Sequence, residues 1–444
     1  MVNDLKELMR ENVAAPPPDR ADLPSLVLAG RRRVRHRRAA AGGVAAVMAG
    51  VATAAVLGGL PGSGHVDAAD HPPAPDAPTI TLADARRAVE GRDYALLASY
   101  TNRDLDADNG QYFDGVTDDG LVLFRDGPRM DQLRPRFALL DPATGAKDWL
   151  PDLHVGQSQT WPVRLGTDRL VLLAAGDDTG ERAHVIAHVF DRATRQWTTM
   201  RWPGLPALAF PSGELGPDGR LYVSVPATQG RPPEGGWPTG PDGEADDADY
   251  EGDTFHLWSV SLTDGSDVRD EGLTVGDLAF TDSSMVWTES TNGQAVIHVR
   301  DLASGEEHSF DTHAGDKCNL LSFGATDDRI VMGQYCGTYA GGVRDDRVQI
   351  LTTDGEQVFT LQDSGIDGAL AGSGGAGDVV TVSAFGGPGS GTYVYDLDTD
   401  RFLRISDAVS NFGVGGPTPD GQFLWHTPVN QRHGATQWLG RLLP

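Results

Sequence analysis

Three aspartates at alternate positions are a candidate metal site in this chain of 444 residues. Asp104, Asp106 and Asp108 lie in the segment DLDADNG, with the spacing by which a calcium loop brings three carboxylates to one side. An EF-hand would have Gly where Asn109 stands and Glu where Gly115 stands. The pattern therefore predicts either a Ca²⁺ site or a solvated polar turn, and no other cofactor is expected.

The two cysteines of the chain, Cys318 and Cys336, lie at equal distances from Asp327, at the centre of a TDDR turn. In a hairpin folded about that turn, the two residues lie opposite each other, at the Cα separation of about 5 to 6 Å that a disulfide requires. The charge pattern described below places both residues outside the cytoplasm, where disulfides persist. We therefore expect a disulfide, with two free thiols as the alternative.

Motifs with an established catalytic geometry are missing from the sequence. It contains no nucleophile elbow, zincin helix, Walker loop or dinucleotide fingerprint in the strand and helix setting that each requires. The acidic run at positions 242–253 is either a divalent-ion trap or a charged loop. These observations favour a binding protein over an enzyme.

A repeated sequence pattern indicates the strands that must position any functional site. It consists of a turn rich in Asp and Gly followed by a burst of apolar and β-branched residues, and it occurs seven times. The first apolar residues of the bursts are Leu121, Leu170, Leu221, Met285, Ile330, Val379 and Phe423. They are spaced 44 to 51 residues apart, except for one interval of 64 that contains a Gly, Pro and acid-rich insertion at 226–253.

Between these positions, strands that end in Asp-initiated tight turns recur, so each repeat holds about four short strands. Four antiparallel strands at this period are typical of a β-propeller blade. We therefore predict an all-β, seven-bladed propeller over residues 79–444, with a pair of β-sandwiches as the alternative topology. The last copy lacks an outer strand, which residues 93–100 are expected to supply.

A membrane segment precedes this body. Residues 39–60 carry no charge, and 22 helical residues extend about 33 Å, enough to cross a hydrocarbon core of about 30 Å. Six arginines between Arg31 and Arg38 precede the segment, and the next basic residue is Arg86. The positive-inside rule therefore predicts a cytoplasmic tail (1–38), a single transmembrane helix (39–60) and an extracytoplasmic body, that is, localisation in the cell membrane. A cleaved signal peptide is the alternative.

The segment after the predicted anchor is a spacer. Residues 61–78 contain five prolines and read as a semi-rigid linker. Thr81, three residues before Asp84, then predicts a capping box and a short helix that ends at Gly91.

The net charge differs in sign between the N-terminal segment and the rest of the chain. Residues 1–38 have a net charge of +4 and residues 39–444 have a net charge of −31, which together give the total of −27. A body this acidic repels phosphate backbones, so nucleic acid is not expected among its partners.

The segments GPDGRLYV (216–223) and TPDGQFLW (418–425) resemble the strand openings of TolB-like and WD40-like propellers, and YVYDLDT (393–399) resembles a turn of YVTN-type propellers. The similarity covers about residues 93–444, and the whole layout is similar to single-pass surface proteins of high-GC bacteria. This resemblance implies a module that binds proteins or ligands without a shared chemistry.

Sequence alone thus predicts a membrane-anchored, extracytoplasmic binding or sensing module for a protein, peptide or cell-envelope ligand. One alternative is a propeller hydrolase or lyase whose site in the channel is assembled from several blades. Another is a membrane-bound regulator that acts through its cytoplasmic tail, as anti-sigma proteins do.

Overall fold

The computed structural model describes the following residues: 78–103, 111–126, 135–153, 160–176, 183–208, 213–230, 252–291, 296–312, 318–326, 328–336, 347–362, 370–374, 379–384, 389–410, 416–429 and 434–444. For residues 318, 319, 321, 335, 336 and 370–374 only the backbone is described. Within these ranges the chain forms seven separate antiparallel sheets. The protein is therefore a seven-bladed β-propeller, as the repeat predicts.

Six blades follow one another along the chain, each with four strands in sequence order. Blade 1 contains β4 (Tyr112–Val116), β5 (Val122–Asp126), β6 (Arg136–Leu140) and β7 (Lys147–Trp149). Blade 2 contains β8 (Thr160–Leu165), β9 (Arg169–Ala175), β10 (Val185–Asp191) and β11 (Gln196–Arg201). Blade 3 contains β12 (Glu214–Leu215), β13 (Arg220–Thr228), β14 (Thr254–Ser261) and β15 (Val268–Val275).

The next three blades continue the pattern. Blade 4 contains β16 (Leu278–Phe280), β17 (Ser284–Thr288), β18 (Val296–Asp301) and β19 (Glu307–Asp311). Blade 5 contains β20 (Cys318–Thr326), β21 (Arg329–Cys336), β22 (Arg347–Thr352) and β23 (Gln357–Gln362). Blade 6 contains β24 (Leu370–Gly374), β25 (Val379–Ala384), β26 (Gly391–Asp396) and β27 (Arg401–Ser406).

Blade 7 joins the two ends of the domain. Its described strands are β28 (Gln422–Pro428), β29 (Ala435–Leu442) and β3 (Tyr94–Asn102), in that spatial order. Strand β3 pairs antiparallel with β29 from Tyr94 opposite Leu442 to Asn102 opposite Ala435. The prediction that residues 93–100 supply the outer strand of the last blade is confirmed.

The seven repeat positions identify the second strand of each blade. Leu170, for example, is the second residue of β9, and Val379 is the first residue of β25. The first strands of successive blades contact one another around the ring, from β4 to β8, β12, β16, β20 and β24. These first strands are therefore the inner strands, and they surround the axis of the propeller.

Apolar clusters fill the spaces between neighbouring blades. Side chains alternate along each strand, so each blade presents one apolar face to each neighbour. Val171 and Leu173 of blade 2 pack on Leu221 of blade 3, whereas Leu170 and Leu172 face blade 1. Each fully buried Leu or Val side chain contributes about 1.5 to 3 kcal/mol to stability.

Strand direction separates the connections into two faces. Because strands alternate in direction within a blade, the turns from first to second and from third to fourth strand lie on one face, and all other connections lie on the opposite face. The first set is short, as at Thr117–Gly120 and Asp141–Gly145, where the glycine N–H closes the turn. We call this side the turn face and the other the loop face. Every inner strand begins at the loop face.

A strap formed by residues 78–93 runs along the outer edges of blades 5 and 6 before it enters blade 7. Strand β1 (Thr79–Ile80) adds parallel to β23, and β2 (Arg86–Arg87) adds parallel to β27. Between them, Leu82 is 5% exposed and packs into the apolar cluster shared by blades 5 and 6. The strap therefore connects three blades.

Asp93 fixes the junction between the strap and the closing strand. Its carboxylate accepts hydrogen bonds from Arg86 (2.6 and 2.9 Å), from Arg92 (2.9 Å) and from the Val89 N–H (2.8 Å). Its carbonyl accepts the N–H of Leu443, near the chain end. The bonds from Arg92 and Arg86 hold the pKa of this buried carboxyl well below its usual value.

The helix predicted after Thr81 is shorter than expected. The capping box between Thr81 and Asp84 is present, but it begins only one 3₁₀ turn, Leu82–Asp84. The chain then becomes strand β2, because pairing with β27 and burial of Leu82 outweigh the local helical pattern. The prediction of a helix that continues to Gly91 was wrong.

Two other predictions concern side chains or residues outside the described part of the chain. Cys318 and Cys336 lie directly opposite each other in the β20–β21 hairpin, but their side chains are outside the described part, so the disulfide stays a prediction. Residues 39–60 also lie outside it, and among the described residues no helix has the length and apolar character needed to cross a membrane. The anchor stays a prediction.

We predict that Asp93→Asn lowers the free energy of unfolding by about 2 kcal/mol at pH 7, because it weakens charge-assisted bonds at a buried carboxylate. Since the pKa of Asp93 is lowered on folding, its contribution is present above about pH 4 and is lost as the pH falls further. Urea denaturation at several pH values measures this.

The matched control is Asp407→Asn. Asp407 pairs with Arg87 of the same strap, but both side chains are exposed, so a change below about 1 kcal/mol is expected. An equal decrease in the free energy of unfolding in Asp93→Asn and Asp407→Asn would contradict the role of Asp93 at the junction.

Candidate functional site

Glu214 lies on the inner strand of blade 3, at the margin that faces blade 4. It is opposite Tyr222 in the β12–β13 register, and directly opposite residues lie on the same face of a sheet. Tyr222 packs in the cluster shared by blades 3 and 4 together with Leu278 and Trp287. Glu214 therefore projects on the blade 4 side, while its neighbour Leu215 pairs with Leu221 on the blade 2 side.

Asp277 immediately precedes β16, the inner strand of blade 4. Its backbone is held from both directions by Thr288, whose Oγ1 accepts the Asp277 N–H (2.9 Å) and whose N–H donates to the Asp277 carbonyl (3.0 Å). Thr288 in turn donates its hydroxyl to the Ser290 carbonyl (2.8 Å). A Cβ at Gly276 would lie 2.1 Å from the carbonyl carbon of Ser290, so this approach requires glycine.

These two carboxyl groups, from different blades, form a pair at the inner margin of the propeller. Glu214 is only partly exposed, and its carboxyl group is enclosed by protein. Burial, reinforced by the negative charge of Asp277, raises the pKa of Glu214 to about 8. At neutral pH Glu214 therefore keeps its proton beside a carboxylate. This arrangement can donate a proton and accept another within one site.

A second buried carboxyl lies on the inner strand of blade 1. Asp114 is 3% exposed, and its Oδ1 accepts a hydrogen bond from Arg125 Nη2 (2.9 Å). Burial raises the pKa of Asp114 to about 6, and the positive charge of Arg125 opposes that shift. The guanidinium of Arg125 also lies 5.2 Å from the centre of the Tyr112 ring.

The carboxyl groups of Glu214, Asp277 and Asp114 do not belong to the metal site that the sequence predicts. Asp104, Asp106 and Asp108 lie outside the described residues, as do residues 242–251 of the acidic run. Among the described residues, no group of three or more His, Cys, Asp or Glu side chains is arranged to hold a metal ion. The Ca²⁺ site stays a prediction.

Motif searches missed Glu214 and Asp277 because they are 63 residues apart and belong to different repeats. A signal was nevertheless present. Asp114 and Glu214 each lie seven residues before a repeat position, and Asp277 lies eight residues before one. Alignment of the repeats would have placed Asp114 and Glu214 on inner strands and Asp277 directly before one. A charged residue is unusual there because the neighbouring residues are apolar.

The known proteins similar to this chain are found among solved structures. The chain matches no family model and no curated protein. An oligogalacturonate lyase in complex with manganese is 14% identical, with a TM-score of 0.47, over 80% of this chain and 99% of that one. An acylaminoacyl peptidase from Pyrococcus horikoshii is 14% identical, with a TM-score of 0.46, over 76% of this chain and 52% of that one.

A third solved structure, of prolyl endopeptidases, is 16% identical, with a TM-score of 0.41, over 75% of this chain and 43% of that one. At these identities and TM-scores, the three likenesses assign no activity to the chain. They also leave the resemblance to TolB-like and WD40-like families unconfirmed. Functional inference therefore rests on the side chains of the inner strands.

We predict that Glu214→Gln changes how stability depends on pH. The folded protein keeps the Glu214 proton up to about pH 8, whereas the unfolded chain loses it near pH 4.5. The wild-type protein therefore loses stability as the pH rises between these values, by up to about 1.4 kcal/mol per pH unit. Glutamine does not titrate, so the variant is expected to be more stable than wild type at pH 8 and to match it near pH 4.

Chemical denaturation across pH 4 to 9 measures this difference. Glu289→Gln is the control, because Glu289 is a largely exposed carboxylate at the end of a blade 4 strand. Parallel pH curves for wild type and Glu214→Gln would show that Glu214 ionises normally.

Proposed function

We propose that the protein is a propeller enzyme of the hydrolase or lyase class, with its reaction centre at the inner margin between blades 3 and 4. The observation that carries the proposal is the placement of Glu214 and Asp277, two carboxyl groups from neighbouring blades, at the inner margin between blades 3 and 4; the raised pKa of Glu214 supports it. Pairs of carboxyl groups with different protonation states are the usual means of acid–base cleavage. Each group comes from a different blade, which explains why no local motif marks the site.

In the proposed reaction Glu214 acts as the general acid and Asp277 as the general base. Glu214 donates its proton to the leaving group as the bond breaks. In hydrolysis, Asp277 takes a proton from the attacking water; in elimination, it takes a proton from the substrate carbon next to the bond that breaks. In both cases one proton enters the pair and one leaves it, so its total charge is unchanged.

Binding of a protein, peptide or cell-envelope ligand at the loop face is the second candidate function, and the direction of the strap favours it. Strand β1 runs parallel to β23, which is the fourth strand of blade 5 and runs from the turn face to the loop face. The chain therefore reaches the propeller from the turn-face side. With residues 39–60 as a membrane anchor, the loop face and the acid–base pair would point away from the bilayer.

We predict that bond-cleaving activity, measured on a panel of chromogenic esters and glycosides, falls by about 10² to 10⁴ in Glu214→Gln and in Asp277→Asn. Activity should also decline as the pH rises through about 8, because Glu214 then loses the proton that it donates. Glu289→Gln is expected to keep wild-type activity. An activity that survives both substitutions would remove the pair from the mechanism.

For localisation, we predict that the full chain sediments with membranes and resists extraction by high salt, whereas deletion of residues 39–60 makes it soluble. Protease added to intact cells stripped of their wall should digest the propeller and spare a tag at the N-terminus. A full chain that is soluble, or a tag that is digested, would contradict the predicted topology.

A further inference from the structure

The facing sides of blades 1 and 2 enclose a second set of polar groups near the axis. On blade 1, Phe113 packs toward blade 7, so its neighbour Tyr112 projects toward blade 2. Asp114 follows a register shift in β4, and its hydrogen bond from Arg125 places its carboxylate beside that guanidinium. Arg125 lies opposite Tyr112 in the β4–β5 register and therefore shares that face. Leu123, two residues earlier on the same strand, packs against blade 2.

Thr160 supplies the facing group from blade 2. It is the first residue of inner strand β8 and lies opposite Ala174 of β9. Ala174 is on the same face as Leu172, which packs against blade 1. Thr160, 5% exposed, thus faces blade 1. Inner strands β4 and β8 are in contact, so these polar groups lie on facing sides of two adjacent strands. We call the region between them the blade 1–2 slot.

Three atoms that border the slot have no hydrogen-bond partner among the described residues. They are Asp114 Oδ2, Arg125 Nε and Thr160 Oγ1, and each is buried. Leaving such groups unpaired costs stability. The Arg125 side chain is 18% exposed and Tyr112 is half-buried, so solvent reaches the edge of the slot at these two side chains.

Other arginine–aspartate pairs in the protein show that this one is incomplete. Arg192 uses both Nη atoms to bind the two oxygens of Asp119 (2.7 and 2.8 Å), and Arg195 binds Asp148 in the same way (2.7 and 3.0 Å). Arg125 uses only Nη2, on only one oxygen of Asp114. One acceptor, Asp114 Oδ2, and one donor, Arg125 Nε, therefore remain unpaired within this ion pair.

We propose that the blade 1–2 slot binds a neutral polyhydroxyl ligand, a carbohydrate or polyol, through two neighbouring hydroxyl groups. One hydroxyl donates to Asp114 Oδ2, the second accepts from Arg125 Nε, and Thr160 Oγ1 bonds to either. The charges of Asp114 and Arg125 balance, so the slot has no net charge that would stabilise an ionic ligand. The carboxylate of Asp114 repels an anion, and the guanidinium of Arg125 repels a cation. The inference is independent of the acid–base pair between blades 3 and 4.

Isothermal titration of the full chain tests this, in a detergent without a sugar headgroup. The probes are the neutral aldohexoses and their disaccharides, with acetamide, acetate and methylammonium for comparison. Saturable binding of a neutral sugar is expected, at least tenfold weaker in Thr160→Val and in Asp114→Asn. Absence of sugar binding, or stronger binding of acetamide or of either ion, would overturn the proposal.

Thr360→Val provides the matched control. Thr360 is also a buried threonine whose hydroxyl has no hydrogen-bond partner among the described residues, but it lies on β23 of blade 5. Both valine variants should fold with at least wild-type stability, because each removes an unpaired hydroxyl and keeps the shape of the side chain. Sugar affinity unchanged in Thr160→Val, or lowered equally in Thr360→Val, would also contradict the proposal. The two proposals fail separately, because sugar binding is compared between Thr160→Val and Thr360→Val, whereas the acid–base proposal is tested by cleavage activity in Glu214→Gln.

Discussion

The pairing of β3 with β29 is the interaction on which the rest of the structure depends. A four-stranded sheet has two faces to bury, and here each face is buried only because another blade lies on either side. That condition holds for all seven blades only when the ring closes. Closure is achieved by main-chain hydrogen bonds from Tyr94 to Asn102, and Asp93 fixes the entrance of that strand with charge-assisted bonds at a buried position. The edges that an open ring would expose are thereby paired.

A closed ring also explains how buried carboxyl groups can persist near the axis. The inner strands of blades 3 and 4 are short, and β12 contains only Glu214 and Leu215, so the apolar interface between these blades ends close to the axis. A carboxyl at that boundary is surrounded by protein without the full hydrogen bonding that an ion needs, and its pKa rises, as for Glu214 and Asp114. The cost of these groups is tolerated because the surrounding sheets are fixed by the ring and cannot relax independently.

The blades could be predicted from the sequence because they depend on local signals. Apolar alternation and Asp-initiated turns recur in every copy, and each marks a second strand, as at Leu170 and Val379. The strap could not be predicted, since β1 and β2 have two residues each and gain their structure from blades 5 and 6. The candidate site escaped prediction for a related reason: the proximity of Glu214 and Asp277 is set by the stacking of two blades, and no pattern within one repeat records it.

The direction of the strap connects the predicted anchor with the position of the polar groups. Because β1 is parallel to β23, the chain enters at the rim of blade 5 from the turn face. Inner strands begin at the opposite face, where Thr160 and Glu214 are the first residues of β8 and β12. With residues 39–60 as the proposed anchor, the end of the axis that carries these groups would face away from the membrane.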